Sequence, residues 1–385
     1  MEYVDCSILR GGTSKGIYIE RDALPEAGAV RDNVILDVFG SPDVRQIDGL
    51  GGADKLTSKL AVMGPPTRKD CQIDYLFGQV GTVIPRIDWT SNCGNISAGA
   101  ALYAVHKGYV KAEGDFAKVA IHQANTGRCL RATVPVVNGC PAVRGDFAIG
   151  GVPGTGARID LDFGDFGGSA MNRGILPTGN VVDRFDVPGL PGLEASVIDA
   201  ANLCIFLRAE DVGLDPFAGV DTLQADAVLI DRLEAVRAAV SRGIGFLEGP
   251  GVEEEMKVRV NPLVFVVASP RTYTALNGVV VEEGRYDILS RSMARRAFSK
   301  AHPATGSIGT AVASGIQGSI ANQAYGGTLR AGEQYSVRIG HPGGRLEVRA
   351  QLSEAGGKPT LESAVIGRTA RVIMDGRAYL KTGAI

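Results

Sequence analysis

Short hydrophobic runs bounded by glycine and other turn residues recur along the first half of this chain. The runs are rich in β-branched residues, and this pattern predicts short strands of a mixed, mostly antiparallel sheet. They lie at Gly16–Ile19, Val80–Ile84, Lys118–Ile121, Ala132–Val137 and Arg158–Phe163. One small-residue run, Ile96–Lys107, is long enough for a buried helix and interrupts the strands.

The second half repeats this plan. Further strands are predicted at Ala195–Ile198, Cys204–Leu207, Met256–Val260 and Leu263–Ala268, and helices over Asp221–Gly243 and Asp287–Ala297. The turn His302–Gly309 then opens another small-residue helix. The repetition supports the hypothesis of a structural duplication, in which two helix amino termini face each other across a cleft and suit a substrate with a carboxylate at each end.

The length of the chain, 385 residues, exceeds what one hydrophobic core organises, so two domains are expected. The densest stretch of proline and glycine, residues 174–195, is taken as the boundary. The first domain is predicted to cover residues 1–185 and to carry Lys59 and Cys93. The second is predicted to cover residues 186–385 and to carry the His302–Ser307 turn, with the option that the last strand, about residues 370–385, returns to the first domain.

Composition and charge exclude several classes of function. The formal net charge is −2 and the basic residues are scattered, which argues against nucleic-acid and membrane-surface partners. No apolar run reaches the roughly 18 residues of a membrane-spanning helix, and the first residues lack the pattern of a signal peptide. The six cysteines and four histidines show no metal-ligand spacing. We therefore expect a cytoplasmic protein with reduced thiols and without a metal.

The stretch Asn92–Asn95 is the strongest candidate for chemistry. It sets one thiol, Cys93, at the predicted first turn of the small-residue helix, where unpaired backbone amides and the helix dipole favour a thiolate. The same amides, at Gly94 and Asn95, are able to hold a substrate carboxylate beside the sulfur. The alternative is a buried cysteine that packs as a small hydrophobic residue.

Two further stretches carry candidate groups. Lys59 lies between Ser58 and an apolar segment, where burial favours the neutral amine that a general base requires. A solvated surface lysine is the alternative. The turn Arg10–Gly16 offers the hydroxyls of Thr13 and Ser14 to a carboxylate, lacks the spacing of a phosphate loop, and is equally consistent with a plain hairpin turn.

Other catalytic motifs find little support in the chain. His302 is a candidate for orienting a carboxylate, or it is an ordinary structural histidine. No G-x-S-x-G elbow supports a serine hydrolase, and no G-x-G-x-x-G fingerprint supports a bound dinucleotide, so we expect no cofactor.

Several of these stretches occur together in a combination that is specific, although each motif alone is not. They are Arg10–Gly16, Thr57–Lys59, Asn92–Asn95 and Leu176–Gly179, with a looser fifth at His302–Gly306. Through these stretches, which are spread over most of its length, the chain resembles the PrpF-like family. This family includes methylaconitate isomerase, methylitaconate Δ-isomerase and 4-oxalomesaconate tautomerase. The resemblance implies the diaminopimelate-epimerase-like fold. This is an α+β protein of two similar domains, each a mixed, mostly antiparallel sheet curled around a central helix, with the active site in the interdomain cleft.

The resemblance also implies roles for individual residues. Lys59 and Cys93 are then the acid–base pair that moves a proton without a cofactor. The predicted substrate-binding residues are Thr13, Ser14, Ser58, Asn92, Gly94, Asn95, His302, Thr305, Gly306 and Ser307. The turn Thr305–Ser307 departs from the epimerases, which carry a second cysteine there. Because serine is too weak an acid to replace that thiol unaided, two-thiol racemisation of an amino acid is disfavoured.

The hypothesis from the sequence is a cofactor-independent isomerase that transfers a proton between allylic carbons of an unsaturated di- or tricarboxylate. Two alternatives stay open: an amino-acid racemase or epimerase of the same fold, and a non-catalytic carboxylate-binding protein. The expected partners are the small-molecule di- or tricarboxylate substrate and, as an option, a second copy of the chain in a homodimer.

Overall fold

The computed structural model describes residues 2–90, 92–325 and 332–381 of the chain. The chain divides into two compact units, the first made of Met1–Asp162 with Gly367–Ile385 and the second of Phe163–Ile366. Ser91, two positions before Cys93 in the sequence, and residues 382–385 of the expected last strand lie outside the described residues.

Short strands and eight helices alternate along the described chain. In chain order the elements are β1 (Tyr3–Gly11), β2 (Ser14–Glu20), α1 (Ala29–Phe39), β3 (Lys59–Gly64), β4 (Ile73–Val80), β5 (Ile87–Asp88), α2 (Gly94–His106), β6 (Phe116–Gln123), β7 (Arg128–Val137), β8 (Cys140–Pro141), β9 (Ile159–Asp162), β10 (Asp183–Val187), β11 (Leu190–Ala200), β12 (Asn202–Arg208), α3 (Ala209–Val212), α4 (Val220–Ala225), α5 (Ala227–Gly243), α6 (Val252–Val258), β13 (Leu263–Ala268), β14 (Tyr273–Thr274), β15 (Val280–Val281), β16 (Ile288–Ala294), β17 (Ala297–Phe298), α7 (Ala304–Gly315), α8 (Ile320–Tyr325), β18 (Gln334–His341), β19 (Gly344–Ala355), β20 (Lys358–Arg368) and β21 (Ala370–Tyr379).

The first unit is a mixed, mostly antiparallel sheet. β1 pairs antiparallel with β2 and with β21, so the last strand lies in the same unit as the first strand. β3 pairs in parallel with β2 and antiparallel with β4. β6 pairs in parallel with β4 and antiparallel with β7.

Helix α2 forms the centre of the first unit. Every residue from Ile96 to Val105 is buried, and the helix packs against β1, β21, β6 and β7. Small residues allow this close packing, because a Cβ added at Gly99 would lie 2.0 Å from the hydroxyl oxygen of Tyr18 on β2. Helix α1 covers the other face of the sheet, where apolar side chains of the helix pack against those of β2 and β3.

The second unit repeats this plan. β11 pairs antiparallel with β10 and with β12. β13 pairs in parallel with β12 and antiparallel with β16. β16, β18, β19 and β20 continue the ladder in that order. Helix α7 is its central helix: all residues from Ala304 to Ser314 are buried, and a Cβ at Gly309 would lie 2.6 Å from the sulfur of Cys204. The predicted fold class, two similar units with a sheet around a central helix, is confirmed.

The division between the units follows Asp162 rather than residue 185. Residues after Asp162 bond to the second unit: the amide of Phe163 donates to the carbonyl of Ala364 at 2.9 Å, and that of Gly168 to the carbonyl of Asp199 at 2.8 Å. The proline and glycine residues between 174 and 195 therefore lie within the second unit, in turns and at the start of β11.

Three predicted elements are wrong. The strand predicted over Val80–Ile84 ends at Val80, because the amide of Gly81 turns to donate to the carbonyl of Arg86 at 2.9 Å. The helix predicted over Asp287–Ala297 is the strand β16, which pairs on both edges. The strand predicted over Met256–Val260 is largely α6, in which acidic residues occupy the first turn and stabilise the helix dipole.

Among the described residues, no helix is both long and apolar enough to cross a membrane.

Candidate active site

Cys93 occupies the N-cap position of α2. Its backbone is extended (φ −143°, ψ 102°), its free thiol is half-buried, and its carbonyl accepts bonds from the Ser97 amide at 3.0 Å and hydroxyl at 2.9 Å. The side chain of Cys93 itself forms no capping hydrogen bond at this helix end. The amides of the first turn therefore lack acceptors in the helix, and the positive end of the dipole lies beside the thiol.

Two buried tyrosines hold the start of α2 against the sheet. Tyr18 donates to the carbonyl of Ile96 at 2.8 Å, and Tyr75 donates to the carbonyl of Cys93 at 3.4 Å. Burial raises the pKa of both phenols well above the usual value, and negative charge at Cys93 raises it further. Both side chains therefore remain neutral donors and fix the position of the cysteine backbone.

The β1–β2 hairpin turn packs directly on this helix end. The side-chain amide of Asn95 donates to the hydroxyl of Thr13 at 2.9 Å. A Cβ at Gly11 would lie 2.3 Å from the carbonyl oxygen of Asn95, and one at Gly12 would lie 2.2 Å from its side-chain oxygen, so both positions require glycine. The buried hydroxyl of Ser14 has no hydrogen-bond partner among the described residues, which leaves it available to a ligand.

Arg368, at the end of β20, brings a buried positive charge to the same place. Its Nε donates to the side-chain oxygen of Asn95 at 3.1 Å and its Nη1 donates to the carbonyl of Gly367 at 2.9 Å. Burial lowers the pKa of Arg368 to about 10, and negative charge at Cys93 opposes that shift. A buried cation at this place attracts a carboxylate.

Lys59, the first residue of β3, is buried and has a neutral partner. Its Nζ donates to the side-chain oxygen of Gln79 at 2.9 Å and lies 5.1 Å from the ring centre of Phe77. The amide nitrogen of Gln79 donates to the carbonyls of Ser58, at 3.0 Å, and Lys55, at 3.2 Å, which turns its oxygen toward the lysine. In the described chain no carboxylate pairs with this amine, so its charged form has no anionic partner.

Strand register places Lys59 on the side of the sheet that carries α2. Lys59 lies opposite Gln79 in the β3–β4 ladder, and Gln79, Phe77 and Tyr75 alternate along β4. Side chains at alternate positions share one face of a sheet. Because Tyr75 reaches the carbonyl of Cys93, the amine and the thiol belong to one unit and to one face of its sheet.

Two predicted binding residues differ in their surroundings. Ser58 is fully buried, and its hydroxyl is shared between the side-chain oxygen of Gln46, to which it donates, and the amide of Gly52 at 3.4 Å. This hydroxyl holds the loop before β3. Asn92 is half-buried and directly precedes the cysteine.

The remaining predicted residues lie at the amino end of α7 in the second unit. His302 stacks on Phe265 with ring centres 5.2 Å apart, and its Nε2 lies 3.1 Å from the hydroxyl of Ser290. Thr305 accepts a bond from Asn202 at 2.5 Å. Ser307 donates to the carbonyl of Ala304 at 2.6 Å, and a Cβ at Gly306 would lie 2.6 Å from the Phe265 ring. This helix end repeats the close packing of α2, and its described turn contains no thiol.

One cluster of thiols lies outside these sites. Side-chain atoms of Asp70, Cys71 and Cys129 lie within 4.8 Å of one another, and Asp70 also forms an ion pair with Arg68 at 2.7 Å. Burial and the hydrogen bond with Cys129 raise the pKa of Cys71 to about 12, which disfavours the thiolate that a metal ion requires.

The arrangement in the first unit suits proton transfer on a bound acid. It combines a half-buried thiol, a buried amine, an uncapped helix end and a buried guanidinium. Sequence reasoning identified the thiol, the amine and the helix end by their motifs. It missed Arg368, Tyr18 and Tyr75, which carry no local motif and reach the site through strand pairing.

Comparisons with known proteins give a consistent result. The model of the family described as PrpF protein matches residues 1–381. The 3-methylitaconate isomerase of Eubacterium barkeri is 41% identical over 379 residues, 98% of this chain and 97% of that protein. The 2-methyl-aconitate isomerase of Shewanella oneidensis is 34% identical over 385 residues, 97% of this chain and 96% of that protein.

Solved structures agree in fold. A crystal structure of methylitaconate-delta-isomerase superposes with a TM-score of 0.83 at 39% identity, covering 100% of this chain and 97% of that chain. A hydroxyproline epimerase from Agrobacterium vitis superposes with a TM-score of 0.53 at 10% identity, covering 98% of this chain and 92% of that chain. The second likeness shows the fold alone.

Proposed function

Because this chain belongs to the PrpF protein family, in which the relatives described above are named isomerases, we propose that it is a cofactor-independent isomerase of an unsaturated di- or tricarboxylate. The observation that carries the proposal is the pairing of a half-buried thiol at an uncapped helix end with a buried cation, in the unit that also buries an amine without an anionic partner. These groups supply acid–base chemistry and an anchor for negative charge.

The proposed reaction is an allylic proton transfer between Lys59 and Cys93. One of the two groups, in its basic form, removes a proton from a carbon adjacent to the double bond. The electron pair of the broken C–H bond enters a dienolate that ends on a carboxylate. The other group then delivers a proton to the far allylic carbon, and the double bond moves by one position. No atoms are gained or lost, so the step needs no redox partner.

Negative charge in the dienolate requires fixed donors. In the proposed reaction the amides of Gly94 and Asn95 and the guanidinium of Arg368 hold the carboxylate on which the charge develops, and their place at the start of α2 supports this role. They are oriented before the substrate arrives: Asn95 is held by Thr13 and Arg368, and the cysteine backbone by Tyr75. Donors held in this way lose little energy to reorganisation during the reaction.

The decisive experiment offers the protein a panel of unsaturated acids, namely trans-aconitate, methylaconitate, methylitaconate and oxalomesaconate. The vinyl protons are followed by NMR in deuterated buffer. With the correct substrate, Cys93→Ala and Lys59→Met should each reduce turnover by roughly 10²- to 10⁴-fold. The control variants Cys140→Ser and Lys118→Met change exposed residues of the same types and should keep the wild-type rate.

Each other result points to a different function. Full turnover in Cys93→Ala or Lys59→Met would refute the assignment of the acid–base pair. Exchange of the α-hydrogen of an amino acid, without change in any alkene, would favour a racemase. Binding of the acids without any turnover would favour a carboxylate-binding protein.

A further inference from the structure

A cationic cavity lies in the first unit between strands β1 and β21 and the loop that precedes β9. Its volume is about 290 Å³. Arginines contribute one part of its lining and apolar side chains another. The described lining residues are Arg10, Val143, Arg144, Gly145, Phe147, Ile149, Val152, Pro153, Gly154, Thr155, Thr369 and Arg371, and none of them is acidic. We call this the arginine cavity.

The three arginines of the cavity have no anionic partner in the described chain. Arg10 and Arg371 lie directly opposite each other in the β1–β21 ladder. Like charges in this position repel and destabilise a sheet. Burial lowers the pKa of Arg10, and the charge of Arg371 lowers it further. An anion between the two guanidinium groups would therefore stabilise this part of the sheet.

The arginine cavity differs from the candidate active site in its lining, since it contains neither Lys59 nor Cys93. The two are nevertheless connected through the hairpin turn. Nη1 of Arg10 donates to the carbonyls of Gly12 and Thr369, each at 2.9 Å. Thr13, the next residue of that turn, accepts the bond from Asn95.

We propose that the arginine cavity binds an organic polycarboxylate. The three guanidinium groups recognise the carboxylates, and the apolar side chains contact the carbon skeleton. Inorganic phosphate would use the arginines alone and would leave the apolar part of the lining exposed to water. The cavity is large enough for a six-carbon tricarboxylate. An anion that fixes the position of Arg10 also fixes the bond from Arg10 to the Gly12 carbonyl. It thereby stabilises the hairpin turn whose Thr13 accepts the bond from Asn95.

Titration calorimetry with tricarballylate tests this proposal, because this saturated acid has no double bond to isomerise. Wild-type protein should bind it at the arginine cavity, in addition to any binding at the candidate active site. Arg371→Gln and Arg144→Gln should weaken the cavity binding by about 10-fold or more. Arg377→Gln is the control: Arg377 lies on the same strand, pairs with Asp5 and does not line the cavity.

Thermal unfolding gives a second readout that does not depend on turnover. Tricarballylate should raise the melting temperature of wild-type protein and Arg377→Gln more than that of Arg371→Gln. Without ligand and at low salt, Arg371→Gln should be at least as stable as wild-type protein, because repulsion with Arg10 is removed. Identical isotherms and melting shifts in all four proteins would overturn the proposal. Phosphate binding as strong as tricarballylate binding would overturn its organic class. Neither result depends on whether the isomerase assignment holds.

Discussion

At the scale of single residues, Cys93 is surrounded by groups that act on it through charge. The amino end of α2 and the buried guanidinium of Arg368 both bring positive charge to this turn, while Tyr18 and Tyr75 stay neutral and hold the backbone. The reactivity of the sulfur is therefore set by its surroundings, and it is measurable without knowledge of the substrate.

Arg368→Gln should slow the alkylation of Cys93 by iodoacetamide at neutral pH by roughly 3- to 10-fold. The variant removes the cation and keeps a side chain able to bond Asn95. Arg368→Lys, which keeps the positive charge, should stay close to the wild-type rate. The labelled residue is identified by peptide mass spectrometry. Equal rates in all three proteins would show that the guanidinium does not influence the thiol.

The candidate site was predictable at residues whose type and local motif carry the chemistry. Cys93 and Lys59 fall in recognisable stretches, whereas Arg368 is separated from Asn95 by 273 positions and follows an unremarkable apolar run. Only the return of the chain through β20 and β21 brings it to the site. Ser58 also lies in a recognisable stretch, but its hydroxyl donates to Gln46, so its role in substrate binding stays a prediction.

At the scale of elements, the pattern of apolar residues predicted most strands and both central helices. The prediction was wrong where polar residues are buried as well, because the alternation of apolar and polar positions is then absent. In β16 the polar residues Ser290, Arg291 and Ser292 are all buried, so the strand shows no alternation between apolar and polar positions. The helix predicted over Asp221–Gly243 divides into α4 and α5 because the side chain of Asp226 caps the second helix by accepting from the Leu229 amide at 2.9 Å.

The parallel pairing of β4 with β6 is supported by one buried carboxylate. Asp74 lies opposite His122 and accepts from its Nδ1 at 2.9 Å, from the Thr67 amide at 2.9 Å and from Arg21 at 3.1 Å. Burial alone would raise the pKa of Asp74, but the bonds from Thr67 and His122 outweigh it and lower the pKa. A carboxyl group of this kind stabilises the fold only while it is ionised.

Asp74→Asn should therefore lower the free energy of unfolding by about 1–3 kcal/mol at neutral pH. The folded-state pKa lies below the unfolded value, so the contribution is complete above about pH 4 and is lost as the pH falls through the folded-state pKa. Urea unfolding at a series of pH values from neutral to acid measures the difference. Asp70→Asn, at an exposed carboxylate, should show a smaller effect. A difference that persists unchanged in acid would contradict this account.

At the scale of the whole molecule, the repeated plan of sheet and central helix was visible in the sequence, but the division of the chain was not. The proline- and glycine-rich stretch suggested a linker, whereas it lies within the second unit, where the carbonyl of Ile175 accepts from the Asp199 amide at 2.8 Å. Long-range pairing of β1 with β21 makes the first unit discontinuous, an arrangement that the sequence left open only as an option for the last strand.

A permuted first unit should fold by itself. In the β1–β21 ladder Tyr3 lies opposite Tyr379, so a short glycine–serine linker can join the end of β21 to the start of β1. A chain of residues 367–381, linker and residues 2–162 should melt cooperatively and show the circular dichroism of a mixed α and β protein. Residues 2–162 alone, which lack β21 and Arg368, should melt at lower temperature or without cooperativity. Identical melting of both fragments would contradict this description of the unit.

The place of β21 also sets the order in which the parts are completed during translation. All of the second unit is synthesised before residues 367–381, so it can close while the first unit still lacks its last strand. Arg368 leaves the ribosome after the whole second unit, and 273 positions after Asn95, to which it bonds. A polypeptide that stops short of this strand carries the thiol without its cation, so the surroundings of the sulfur are assembled only after the second unit has been made.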